Sequence, residues 1–260
     1  MIVDAHAHLG PGLKAEVPFG PLYNAETSTG LLALMDRVGI DKAVVFAPNW
    51  HGGWQGNDFI DPNYERANDA IEEAVRQHTG RLVGFARVNP KFGRQAATEL
   101  EARLNSGFRG LKLDNEHDGY SPTNLKLIAP LMEICAHHTA PVIVHTGFHP
   151  AEPLLFLPLA RAFPHVNFIL GHMGYRIVAD AIIAARRSDN LYLETSAQMP
   201  HSILGGVRGL GADRVVFGTD LPYTIPEVEM RRIRSIGLRD AELEKILAGN
   251  ISRLLRLQKE

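Results

Sequence analysis

IVDAHAHLGPG (residues 2–12) is the stretch that separates two architectures. It starts as a short apolar strand and breaks at a glycine-proline-glycine turn. A doubly wound open sheet usually follows its first strand with a glycine-rich phosphate turn. Here that turn reads HLGPG, with histidines where the glycines would be needed. Working outward, short runs rich in Val, Ile, Phe and Leu recur at 42–47, 82–88, 110–114, 141–146, 167–172, 190–195 and 214–219. That composition suits strands buried on both faces. Helical patterns fall between them at 27–38, 63–78, 93–106, 123–138, 152–163, 175–187 and 240–256. The stretch 198–211 is a weaker helix candidate, because Gly205, Gly206 and Gly209 lower its propensity. Asp61-Pro62 and Ser121-Pro122 read as a cap followed by a first-turn proline. Repeated strand-then-helix units predict an α/β fold, a single (β/α)8 TIM barrel over 1–260, with the open sheet as runner-up.

Composition narrows the function classes. The 260 residues are 45% hydrophobic, enough for one large core. Twenty-seven basic against 29 acidic side chains leave a net charge of −2, which argues against nucleic acid as a partner. The single cysteine, Cys135, excludes an intrachain disulfide and a multi-cysteine zinc site. The first residues carry neither a basic nor an apolar leader region, and no apolar run approaches a membrane span. The expectation is a cytoplasmic protein that works on a small molecule, away from membranes.

In a barrel, chemistry collects where the strands run out at their C-terminal ends. His6 and His8 end the first strand, Lys112 and Asp114 the fourth, His145 the fifth, His172 the sixth and Asp220 the eighth. Residues two apart on a strand leave the same face, so both imidazoles of the HxH pair reach one metal. His145 and Asp220 are placed to close that site. Imidazole plus carboxylate suits one divalent transition metal, zinc first, with Mn, Fe, Co or Ni as alternatives.

If Leu111 and Leu113 face the helices, Lys112 and Asp114 face the pore. Three roles are then open to Lys112: a carboxylated bridge to a second metal, a Schiff-base amine without metal, or an interior ion pair. Arg87 in FARVN is either a fork for a substrate carboxylate or an ion pair within the barrel. His78, His137, His138 and His165 fall on the opposite rim, whereas His51, His117, His149 and His201 fall in loops on the active rim. Trp50 and Trp54, set among glycines in the loop 48–62, suit a lid that stacks on a ring. Arg176 and Tyr223 also follow strand ends and are candidate substrate contacts.

Taken together, DAHAHLG (4–10), FARVNP (85–90), RGLKL (109–113), VIVHTG (142–147), LGHMG (170–174), LYLETS (191–196), RVVFGTDLPY (214–223) and ILAGNISRLLRL (246–257) resemble the amidohydrolase superfamily. The branch is the amidohydrolase-related one, which includes aminocarboxymuconate semialdehyde decarboxylase. The resemblance implies that His6, His8, His145 and Asp220 are metal ligands. It implies that His172 orients or deprotonates water, with Asp220 as a second catalytic group. It favours one metal over two, and suggests a homodimer. The first expectation is a hydrolase acting on an amide, ester or lactone bond of a small carboxylated metabolite. The alternative is a carboxy-lyase of an unsaturated or aromatic acid, and a metal-free Lys112 Schiff-base lyase comes third.

Overall fold

The computed structural model describes residues 1–10, 13, 24–48 and 63–257. Trp50, Trp54 and His51, the lid reading of 48–62 and the Asp61-Pro62 pair lie outside the described residues.

Eight parallel strands form one sheet in chain order: β1 (Val3–His8), β2 (Lys42–Phe46), β3 (Leu82–Arg87), β4 (Gly110–Leu113), β5 (Val142–Val144), β6 (Phe168–Leu170), β7 (Leu191–Glu194) and β8 (Val215–Val216). The two ends meet. Ala5 N donates to Phe217 O at 2.9 Å, Asp220 N donates to His6 O at 2.7 Å, and Ala7 bridges Leu221 in parallel. The result is the barrel expected from the alternating runs.

Helices cover the outside. They include Ser28–Val38, Glu65–Gln77, Arg94–Asn105, Leu125–His138, Val178–Arg186 and Pro200–Leu210. Two apolar layers follow from strand alternation. Ala43, Val45, Leu111, Leu113, Val142, Val144, Leu191 and Leu193 pack outward against the helices. Val44, Phe46, Phe85, Ile143, Ile169, Tyr192 and Val216 fill the pore, and Ile251 and Leu255 of the helix Asn250–Leu255 join that cluster.

Two local readings need correction, the weak helix candidate at 198–211 is borne out, and one helix went unread. Ser121 does not cap the helix Leu125–His138. Its hydroxyl contacts Thr123 at 2.8 Å, and the N-cap is Asn124, whose side chain accepts from Leu127 N. The stretch 152–163 starts as a 3-10 turn, Pro153–Phe156, before the α-helix Leu157–Ala162, because prolines 153 and 158 withhold backbone donors. Pro200–Leu210 is a full helix despite its glycines: Gly206 lets the Met173 side chain pack where a Cβ would stand. A further helix, Pro226–Arg234, follows β8 with proline at its first position.

Candidate metal centre

Alternation along β1 would turn His6 away from the pore, because Val3 and Ala5 already point into it. A bulge changes this. Between Asp4 and Ala7 the register on β2 slips: Asp4 opposes Ala43, but Ala7 opposes Val45. The extra residue reverses the phase, so Ala7 faces the helices and His6 and His8 face the pore. The bulge frees the His6 backbone N–H, and the Asp4 carboxylate accepts it at 2.9 Å. Asp4 also accepts from Thr219 N at 2.9 Å and Thr219 Oγ1 at 2.5 Å, which clips β1 to the chain after β8. Burial raises the Asp4 pKa to about 7, against these three hydrogen bonds.

His6 Nδ1 lies 2.9 Å from Glu194 Oε2. A carboxylate only accepts, so Nδ1 carries the proton of that bond. His6 Nε2 then faces Asp220 Oδ1 at 3.2 Å. A neutral imidazole would set a lone pair against a carboxylate oxygen there, an arrangement that calls for positive charge between the two atoms. A proton is one answer. Burial and Lys112 oppose it, but the Asp220 and Glu194 carboxylates leave the His6 pKa raised. A divalent cation is the other. His8 Nε2 lies 3.1 Å from the same Asp220 oxygen, and His8 Nδ1 is buried without a hydrogen bond. One ligand atom each from His6, His8 and Asp220 lies within 4.8 Å of the others. Burial works to raise the Asp220 pKa, yet the imidazoles of His172, His6 and His8 hold it well below the usual range. Two nitrogens and an anionic oxygen, converging in a buried site, fit a divalent transition metal.

His145 does not join that trio. Its ring lies 4.9 Å from the ring of His172, which lies 4.9 Å from His6. Its Nε2 is buried without a hydrogen bond and faces Glu116 Oε2 at 3.3 Å.

His172 reaches the site through unusual backbone. It follows Ile169 by three residues, so alternation alone would turn it toward the helices. Residues His172, Met173, Gly174 and Tyr175 all take positive φ, from 47° to 81°. Three neighbours hold this strained turn. Glu194 Oε2 accepts His172 N at 3.1 Å, Thr146 Oγ1 accepts Gly174 N at 3.0 Å, and Gln198 Nε2 donates to His172 O and Tyr175 O at 2.5 and 3.0 Å. The Tyr175 ring stacks on His172 at 4.4 Å and occupies the space where a Cβ on Gly147 would stand. Tyr223 meets His8 edge-on at 4.9 Å.

Lys112 faces the pore, as the outward Leu111 and Leu113 imply. Its Nζ lies 3.4 Å from His6 Nε2 and 5.0 Å above the Phe46 ring. Burial pushes its pKa down to about 8. Arg87 is fully buried. Its Nη1 donates to Ala47 O at 3.1 Å, its Nη2 lies 3.4 Å from Asp114 Oδ2, and its guanidinium covers the Tyr64 ring at 4.4 Å. Nε and Nη2 make no hydrogen bond. Asp114 also binds His117 Nδ1 at 3.0 Å, within the short helix Asn115–Asp118.

Other candidates stand at the surface. His149 is exposed and pairs with Glu152 at 3.0 Å. Arg176 is exposed and lines a cavity of about 690 Å³ with Tyr175, Gln198, Ser202 and His201, which sits in the first turn of Pro200–Leu210 rather than in a loop.

Sequence reasoning missed Glu194 and Ser196. The signal was the one that placed Lys112: with Leu191 and Leu193 outward, Tyr192 and Glu194 must face the pore. Glu194 is wholly buried and accepts Ser196 N and Ser196 Oγ in addition to its two histidine contacts. Gly218 makes its position tenable, since a Cβ there would strike the Glu194 carboxylate.

A profile of the amidohydrolase family matches residues 3–257. The chain belongs to the amidohydrolase family. Within that family it is similar to gamma-resorcylate decarboxylases. It is 24% identical over 253 residues to the one from Polaromonas sp. strain JS666, covering 75% of this chain and 76% of the relative. It is equally identical over 246 residues to the one from Rhizobium radiobacter, covering 74% and 75%. The amidohydrolase barrel also superposes on 5-carboxyvanillate decarboxylase from Sphingomonas paucimobilis with a TM-score of 0.79, at 17% identity, covering 99% of both chains. A dihydroxybenzoic acid decarboxylase from Polaromonas sp. JS666, solved with bound manganese and 2-nitroresorcinol, gives a TM-score of 0.76 at 19% identity, covering 100% and 98%. Among the described residues no helix is long and apolar enough to cross a membrane.

Proposed function

We propose that this amidohydrolase is a metal-dependent carboxy-lyase that removes CO2 from a small hydroxylated aromatic acid. One observation carries the metal dependence: the convergence of His6, His8 and Asp220 on one buried point, with His172 beside it. The named relatives, all decarboxylases of hydroxybenzoates or of a carboxyvanillate, support the reaction class and favour it over hydrolysis. Zinc loses its first place, because the related structures that name a metal name manganese.

His6, His8 and Asp220 would hold the ion, with His145 completing the set when it turns toward it. Bound there, the ion supplies Lewis-acid charge that draws in the substrate's oxygen atoms and stabilises the electron-rich ring. The rest falls to the chain. Decarboxylation adds one proton to the ring carbon that bears the carboxylate. The C–C bond then breaks, its electron pair returns to the ring and CO2 leaves. His172 is the proton carrier. Burial lowers its pKa well below the ordinary histidine value, so it rests neutral and, once it has taken a ring hydroxyl proton, gives that proton readily to the carbon. The hydroxyl is restored from solvent, and the overall reaction consumes one proton. The Tyr175 ring over His172 keeps water from it.

The test is product analysis on hydroxybenzoic acids with manganese- or zinc-loaded enzyme. One CO2 released per substrate consumed, lost in His172→Gln, supports the reading. Turnover of an ester, lactone or amide panel without CO2 would return the hydrolase to first place.

A further inference from the structure

We propose that Ser196 is a positioning residue that, with Glu194 behind it, fixes the proton of His172 on Nδ1 and leaves Nε2 bare. The inference rests on the reading of His172 as the proton carrier, but its argument is a count of hydrogens. Glu194 receives four donors: His6 Nδ1 at 2.9 Å, His172 N at 3.1 Å, Ser196 Oγ at 2.7 Å, and Ser196 N. A carboxylate offers about four lone-pair sites and no proton. The first three fall on Oε2 and the Ser196 N–H on Oε1, and at each contact the hydrogen must come from the partner, because a carboxylate has none to give.

The Ser196 hydroxyl has only one hydrogen, and it goes to Glu194. Its oxygen lies 2.8 Å from His172 Nδ1. That oxygen can only accept there, so Nδ1 carries the proton. The reverse assignment fails. A Ser196 proton turned toward Nδ1 would leave two lone pairs facing each other at the 2.7 Å contact with Glu194, in a wholly buried site where an unmade hydrogen bond is expensive. Which nitrogen of a histidine bears the proton is set by the partner of the other nitrogen. Here that partner is a serine whose own proton is already committed.

Two consequences follow. Nε2 is the only nitrogen of His172 that can take up a proton, and it does so without waiting for a tautomer change. Ser196 is wholly buried and acts through His172, so it governs the rate of proton transfer rather than substrate binding.

The experiment is long-range 1H–15N correlation on the full-length protein labelled with 15N-histidine, metal-free and zinc-loaded, at one pH near 7.5. The His172 signals are assigned by their loss in His172→Gln. The expected wild-type pattern is the Nδ1–H tautomer. Ser196→Ala should convert His172 to the Nε2–H form or a mixture, and Ser196→Thr, which keeps the hydroxyl, should restore the wild-type pattern. With a hydroxybenzoate substrate, Ser196→Ala should lower kcat by roughly 10- to 100-fold with little change in KM. An Nε2–H pattern in the wild type, or a pattern unmoved by Ser196→Ala, overturns the proposal. The spectra need no substrate, so a failure of the decarboxylase reading leaves them interpretable. Melting curves of the four proteins guard against a folding artefact, and the wild-type tautomer itself carries the test if the alanine variant does not fold.

Discussion

The two sides of the pore mouth bury charge in opposite ways. On the side of β1, β7 and β8, two carboxylates face three imidazoles, and each imidazole is pinned at one nitrogen by a carboxylate or by Ser196. On the side of β3 and β4, Arg87 meets Asp114 within the protein, and His117 and Tyr64 complete the cluster. The first side sets carboxylate oxygens against imidazole nitrogens, with the Lys112 ammonium beside them at 3.4 Å from His6 Nε2 and, among the described residues, no carboxylate of its own to pair with directly. The second pairs its cation with Asp114. A buried carboxylate without a cation paired to it is costly, and a buried pair is costly only when one partner is removed. The first side is therefore built to take up an ion, and the second to stay as it is.

Four measurements break or sharpen this contrast. The largest effect is expected from His6→Ala. Metal content by inductively coupled plasma mass spectrometry should fall from near one equivalent per chain to a small fraction, because His6 contacts both Glu194 and Asp220 at the centre of the site. Arg87→Met should keep its metal but lose stability by about 3 kcal/mol in denaturant unfolding, since it takes the buried guanidinium from Asp114 and leaves that carboxylate to His117. If Arg87→Met instead loses substrate affinity with stability intact, the guanidinium serves a substrate carboxylate and the contrast fails. Glu194→Gln should weaken metal affinity by about 10- to 100-fold in a chelator competition, because the amide no longer commits His6 to its Nδ1–H form.

The smallest effect is a pH slope. Burial raises the Asp118 pKa to about 6, with Arg87 opposing, from an ordinary 3.8. Between those values the folded chain holds a proton that the unfolded chain has released. The contribution of Asp118 to stability should therefore fall as pH rises from 4 to 6. Asp118→Asn, which keeps the acceptor for Tyr64, should flatten that slope by on the order of 1 kcal/mol in melts at the two pH values. An unchanged slope would remove Asp118 from the account.

Much of this was legible in the residues. Alternation of apolar runs and helical stretches fixed the barrel, and every strand appears within a few residues of its expected place. Outward Leu111 and Leu113 placed Lys112 in the pore, and the same rule applied to Leu191 and Leu193 would have found Glu194. Local rules failed where a neighbour supplied what the chain lacked. Ser121 lost the cap to Asn124, which lies at the helix start itself. In Pro200–Leu210, Gly206 makes room for Met173 and Leu193, and Gly209 for Ile182.

The sequence by itself determined which residue types stand at the strand ends and which strands carry them, because period-two alternation and apolar patterning are local properties. Only the tertiary structure decided that His6, His8 and His172 point at one another. A bulge in β1 and a left-handed turn after β6 each reverse the direction that alternation would give. Both depend on contacts far apart in the chain, from Asp4 to Thr219 and from Glu194 to His172. Bulges and left-handed turns cost energy locally, so they persist only where distant partners repay them, and that repayment is invisible until the chain has closed into a barrel.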